Sequence, residues 1–135
     1  MNPNQIKRNS LNFFISDSWL DNNGNLQKYL LENYKIVAII ESHVESFFKK
    51  LNIKACIIML EKCKDKNVLD NNIVRFVSFK KPLKCFTRLL TKMNLESLKS
   101  IILVYDEFCE TDDLRIFPKS QRELWDEVRW KKYLI

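Results

Sequence analysis

A single glycine, Gly24, stands among 135 residues, and no other feature of the sequence narrows the possible folds as much. Glycine is the residue that permits positive φ and close backbone approach. A dinucleotide-binding fingerprint or a phosphate-cradling loop needs two or three of them close together. This chain can build neither, so any nucleotide-like ligand requires groups from elsewhere.

The remaining composition fits a packed α/β chain. Hydrophobic residues make up 46% and aromatics 12%, enough for a core and far from a disordered composition. At 135 residues the chain is one ordinary domain or part of a larger one. Twenty-three Lys and Arg against 17 Asp and Glu give a net charge of +6, compatible with a polyanionic partner, but it is spread along the chain, which by charge alone favours a plain solvated surface. Cys56, Cys63, Cys85 and Cys109 form no C-x-x-C pair, and His43 is the only histidine. That spacing does not supply zinc ligands and reads as free cysteines in a reducing cytosol. Met1 to Ser10 is polar, with no apolar run behind Lys7-Arg8, and runs such as Ile36 to Ile40 are too short to cross a bilayer. The expectation is a cytoplasmic protein without signal peptide or membrane span.

Periodicity sets out the elements. Leu11 to Ile15 reads as a buried strand, and Asp21 to Asn25 as a turn. Leu26, Tyr29, Leu30 and Tyr34 recur at helical spacing. Lys35 to Ile40 and Ile53 to Leu60 are continuous β-branched runs, the mark of strands covered on both faces. Lys62 to Asn72 is polar and turn-like, and Ile73 to Phe79 alternates as a strand near an edge. Pro82 opens a helix carrying Leu83, Phe86, Leu89, Leu90 and Met93. Leu95 to Lys99 predicts a further helical turn and Ile101 to Tyr105 a short strand. Asp106 to Asp113 is an acidic loop, and Arg115-Ile116-Phe117 is extended before Pro118. Ser120-Gln121-Arg122-Glu123 is a capping box opening a final helix with Leu124, Trp125 and Val128 and a basic end at Arg129, Lys131 and Lys132.

Three stretches together carry a resemblance: Phe14-Ile15-Ser16-Asp17-Ser18-Trp19-Leu20-Asp21 with Leu26 to Leu31; Ile39 to Phe48 with the strand ending in Glu61-Lys62-Cys63; and Asp70 to Val77 with Lys80 to Leu83. Residues 11 to 83 resemble the adenine-specific DNA methyltransferases of bacterial restriction–modification systems, including restriction enzymes fused to a methylase. The likeness returns weakly at Trp130-Lys131-Lys132-Tyr133-Leu134. It implies the C-terminal part of a class I, Rossmann-like methyltransferase sheet, strand–helix–strand plus an antiparallel strand, followed by a mixed helical and short-strand segment. Residues 1–81 would close the catalytic domain, and 82–135 would be a linker and the start of a target-recognition region. Leu11 to Ile15 would be the fifth strand, Ile36 to Ile40 the sixth, and Ile53 to Leu60 the seventh, inserted between them. Phe48, with Phe47 beside it, matches the aromatic position that stacks on a flipped-out adenine, a base that must leave the duplex to be modified.

The same resemblance marks what these residues do not contain. The family's glycine-containing loop for S-adenosylmethionine and its Asn-Pro-Pro-aromatic segment lie upstream of the fifth strand, and Asn2-Pro3-Asn4 lacks the second proline and the aromatic. The expectation is a methyltransferase piece that binds no donor alone, is inactive alone, and is completed by an N-terminal half, with DNA as partner. It should also leave the Leu11–Ile15 strand with an open apolar edge. Two other readings stand beside it. One is a DNA- or partner-binding module using Arg129, Lys131 and Lys132. The other is a nuclease-like hydrolase using Asp106, Glu107, Glu110, Asp112 and Asp113, disfavoured because Glu61 is followed at plus two by Cys63 rather than lysine.

Overall fold

The computed structural model describes residues 10–22, 24–42, 55–82 and 92–134. The strands are β1 Ser10–Ser16, β2 Tyr34–Ser42, β3 Ala55–Lys62, β4 Ile73–Phe79, β5 Cys109–Glu110 and β6 Leu114–Ser120. The helices are α1 Trp19–Asn22, α2 Gly24–Asn33, α3 Lys66–Asn71, α4 Lys92–Ile102 and α5 Gln121–Leu124, and a 3-10 turn spans Lys131–Leu134. All six strands share one mixed sheet in the order β1-β3-β2-β4-β6-β5. β3 is antiparallel to both β1 and β2, which therefore run parallel to each other. β4 is parallel to β2 and antiparallel to β6. Strands from either side of residue 81 thus belong to the same sheet.

The two apolar runs behave as their composition requires. β2 from Ile36 onward and β3 from Ala55 to Leu60 are buried, because the sheet is covered on both faces. One face packs Leu30 and Leu31 of α2, Leu124 of α5, and Trp130, Tyr133 and Leu134 onto Ile36, Ile39, Ile58 and Phe76. The other packs Leu95, Leu98 and Ile102 of α4, one stripe at helical spacing, onto Ala38, Ile40, Ile57, Val77 and Phe79. Ile36 and Ile39 reach the same face although three residues separate them. A register shift between Ile36 and Ala38 inserts one extra residue and reverses the alternation.

Several boundaries differ from the sequence expectation. β4 is not near an edge: it lies between β2 and β6, and Val74 and Phe76 to Phe79 are buried. Ile101 to Tyr105 is the end of α4 and a turn rather than a strand, since Leu95, Leu98 and Ile102 continue one helical face. Asp21 to Asn25 falls across α1 and the start of α2, and Lys62 to Asn72 contains α3, capped by Asp65, whose carboxylate accepts from the amides of Asn67 and Val68. The capping box at Ser120 and Glu123 forms with both reciprocal bonds, but the helix it opens is the single turn α5. Pro118 sits inside β6 opposite Arg75. β5 pairs only with Arg115 and Ile116, so at Pro118 one side of β6 has no strand partner among the described residues, where a strand accepts proline. The helix expected over Leu83 to Met93 lies outside the described residues, save for its last positions, which begin α4. Among the described residues, no helix is long and apolar enough to cross a membrane.

Candidate functional site

In open α/β sheets, ligands bind beyond the carboxyl ends of the parallel strands, where neighbouring connections diverge. Here that rim is formed by the ends of β1, β2 and β4 together with the beginnings of β3 and β6. It brings together Ser16, Asp17 and Ser18, then Glu41 and Ser42, then Cys56. The segment 43–54 joins the end of β2 to the start of β3 and so departs from this rim. Phe47 and Phe48 belong to that segment and lie outside the described residues.

Two carboxylates are buried at the rim, Asp17 at 7% exposure and Glu41 at 2%. Burying an anion is costly unless a cation or donor compensates it. For Asp17 the cation comes from the far end of the chain: Lys131 Nζ stands 3.2 Å from Oδ2. The distance is that of an ion pair, but the angle does not make Oδ2 a hydrogen-bond acceptor. Charge attraction is insensitive to that angle, so the ion pair is what compensates the carboxylate.

The same C-terminal segment is fastened along its length. Trp130 N–H donates to Leu20 O at 2.9 Å, and Lys131 N–H donates to Asp21 Oδ1 at 3.1 Å. Gln27, 2% exposed, donates through Nε2 to Leu20 O and Val128 O, both at 2.9 Å. The Trp130 ring meets Trp19 edge to face at 5.6 Å between centroids. Ser78 Oγ donates to Leu134 O at 2.7 Å. The outcome is a strap that holds a lysine over the end of β1.

Cys56 lies beneath this site, fully buried, with Trp19 Nε1–H donating to its Sγ at 3.4 Å. Burial pushes its thiol up to about 12, the indole N–H opposes the shift, and the negative charges of Glu41 and Asp17 add to it. At neutral pH it is a protonated, inert packing group, not a nucleophile.

The three basic candidates separate in the structure. Arg129 is exposed. Lys131 pairs with Asp17. Lys132 pairs with Glu127 at 3.2 Å and sits 5.2 Å from the Tyr133 ring centre. Glu127 also accepts a short hydrogen bond from Tyr133 O–H. Burial raises the phenol above its usual range and Glu127 adds to that; for Glu127 itself burial works upward, but the Tyr133 and Lys132 contacts hold its carboxyl low. The acidic loop is also dispersed. Asp106 pairs with Arg75, Glu110 with Lys80, and Asp113 with Lys81. Among the described residues, no group of three His, Cys, Asp or Glu could hold a metal ion.

Two shallow clefts lie away from the rim. One of about 420 Å³ is lined by Lys35, Asn67, Val68, Asn71 and Asn72, and one of about 350 Å³ by residues 104–109. Neither contains a buried charge. The rim, where buried carboxylates and parallel strand ends coincide, is the better site on physical grounds. Sequence reading missed the Asp17–Lys131 pair because 114 residues separate the partners. The one signal available was an aspartate directly after an apolar strand.

The family model described as N-6 DNA Methylase matches residues 18–133, which span α1, the five strands after β1 and the C-terminal strap. No curated protein matches the chain. The match covers most of the sequence, so this chain belongs to the N-6 DNA methylase family, and its function is of the DNA adenine methyltransferase type.

Proposed function

We propose, with that family membership as premise, that these 135 residues are the closing portion of an adenine-specific DNA methyltransferase of a restriction–modification system, working in the cytoplasm. The observation that carries the reading is the order β1-β3-β2, with the middle strand antiparallel to both neighbours. The fifth, seventh and sixth strands of the catalytic sheet would have this order and these directions. The rim beyond β1 and β2 then faces the modified base.

In this reading Phe48, flanked by Phe47, stacks on the adenine swung out of the duplex, in the segment that leaves the rim between β2 and β3. Stacking of that kind is worth ~1–3 kcal/mol per base and offsets part of the stacking lost in the helix. Arg129 and Lys132 contact phosphates, and Lys131 holds Asp17 in place.

S-adenosylmethionine would supply the methyl group. The described residues do not fit it: a Cβ added at Gly24 meets nothing within 4 Å, so the chain's one glycine does not line a tight cradle. The reading assigns the donor pocket and the acceptors for the adenine amino group to polypeptide beyond the described residues, meeting them along β1. Holding the donor against the amino nitrogen is most of what such an enzyme contributes, so this portion alone is silent.

Two measurements on the purified chain test the reading. Titration calorimetry with S-adenosylmethionine and labelled methyl transfer to duplex DNA should both be negative; transfer by clean protein would overturn the division of labour. Filter binding to DNA at about 50 and about 200 mM salt should show affinity falling steeply with salt. No salt-sensitive binding removes DNA contact from the proposal.

A further inference from the structure

Toward the end of the sheet away from β1, β6 carries a ladder of alternating rings and cations. Arg115, Phe117 and Lys119 occupy alternate positions of the strand and so project from one face. The Arg115 guanidinium carbon stands 5.3 Å from the ring centres of both Phe108 and Phe117, which meet edge to face at 5.8 Å. Phe117 stacks on Tyr133 at 5.2 Å. The Lys119 and Lys132 amines lie 5.3 and 5.2 Å from the Tyr133 ring centre. Arg115 Nη1–H also donates to Tyr133 O at 2.9 Å, which fixes the guanidinium between the two rings. Most of the ladder is packed, but Phe108 stands at its outer end and is 53% exposed. The same ring lines the cleft of about 350 Å³ formed by residues 104–109.

We propose that this ladder binds an unpaired stretch of DNA, with a base stacked on Phe108 and phosphates along Arg115, Lys119 and Lys132. A half-exposed ring braced by a second ring and a guanidinium offers a rigid π-face, and any base can stack on one. The surroundings suit a polyanion. Residues 115–132 carry six cations against three acids, so this segment holds a net +3 of the chain's +6. Glu110, Glu123 and Glu127 pair with Arg115, Lys119 and Lys132, but all three carboxylates are partly exposed. Such pairs contribute little, so a phosphate can take the place of the carboxylate. Arg122 and Arg129 are exposed and have no carboxylate partner among the described residues. A duplex keeps its base faces stacked and cannot use Phe108, whereas a single strand can. The inference rests on the DNA contact proposed above and gives Phe108 a role separate from that of Phe48.

Fluorescence anisotropy on the full chain, with a labelled single strand of ~12 thymidines, reads this directly. Wild type should bind the strand, with affinity falling as salt rises. Phe108→Ala should weaken that binding about tenfold, and Phe108→Trp should retain it. Both variants should keep the wild-type circular dichroism, because the ring lies half outside the core. On duplex DNA of the same length both should bind like wild type, since no base face is free there. Salt-sensitive duplex binding without single-strand binding overturns the ladder and leaves the proposed function standing. So does a folded Phe108→Ala protein that binds the single strand like wild type, or that loses single strand and duplex equally. Single-strand binding that depends on Phe108, with no binding of duplex, keeps the ladder and removes the duplex contact. Binding to neither overturns both.

Discussion

Gln121 offers the most stringent test of how the two halves of the sequence are joined. Its side chain is fully buried and uses every hydrogen-bonding position it has. Oε1 accepts from Ile36 N–H at 2.7 Å and Asn72 Nδ2 at 2.8 Å. Nε2 donates to Leu31 O and Tyr34 O, both at 3.2 Å. The Ile36 amide lies beside the bulge that reverses the alternation of β2, so this contact spans 85 residues to support the register shift. Gln121→Glu keeps the shape and both acceptor bonds but removes the two donors. Each stranded carbonyl costs ~1–3 kcal/mol, and taking the lower end for both, with an added cost for burying charge, gives about 3 kcal/mol at pH 7. For a chain of this size that is a fall of ~10 °C in Tm. The protonated acid can still donate to one carbonyl, so the folded state raises the pKa of the new carboxyl above its unfolded value of about 4.3. The penalty relative to wild type should therefore be smallest below that value and grow as pH rises through the folded-state pKa. Urea unfolding followed by fluorescence of the buried Trp19 and Trp130 at pH 4 and pH 7 reads both numbers. Gln121→Ala, with nothing to titrate, should be destabilised equally at both. Wild-type stability of the glutamate variant at pH 7, or a penalty that does not change with pH, would refute the satisfied-network argument.

Three further outcomes follow from individual contacts. Lys131→Met leaves Asp17 buried beside no cation; because Lys131 is 41% exposed, the loss in urea unfolding should be ~1 kcal/mol rather than the several expected of an enclosed pair. Burial works to raise the pKa of Glu61, but Lys99 and Lys35 outweigh it and hold the carboxyl below its usual range. Its contribution is therefore present above about pH 4.5 and lost as pH falls, and Lys99→Met should remove ~1 kcal/mol at pH 7 and much less at pH 3. Arg129→Ala and Lys132→Ala should each lower the slope of log affinity against log salt for DNA by about 1, leaving circular dichroism unchanged.

The parts of the fold legible in the sequence were those with a local cause. The apolar runs Ile36 to Ile40 of β2 and Ala55 to Leu60 of β3 announce burial on both faces because no charged residue interrupts them, and Ser120 with Glu123 announces a helix start because the capping bonds close within four residues. The resemblance at Phe14 to Asp21 and Ile39 to Phe48 agrees at the level of the family with the N-6 DNA methylase match over residues 18–133. What could not be read was set by distant partners. Ile73–Phe79 alternates like an edge strand because Ile73 and Arg75 are polar or half-buried; only the addition of β6, about 40 residues later, makes it central. Ile101 to Tyr105 has β-forming composition, but Ile102 is the last core contact of α4, and tertiary packing overrides propensity. At the rim, neither Asp17 nor Lys131 is unusual alone; they form a site because Trp130 is anchored in the core and carries its neighbour back to the end of β1.

The edge of β1 connects these observations. Leu11, Phe13 and Ile15 form an apolar row on one face of β1 and Ser10, Asn12, Phe14 and Ser16 a more polar row on the other, and every residue of the strand is only half-buried or exposed. On the proposed assignment of β1 as the seam, tethering a donor-bearing methyltransferase half upstream of Ser10 should yield a protein that gains methyl transfer to duplex DNA. A folded fusion that transfers no methyl group would remove β1 as the seam.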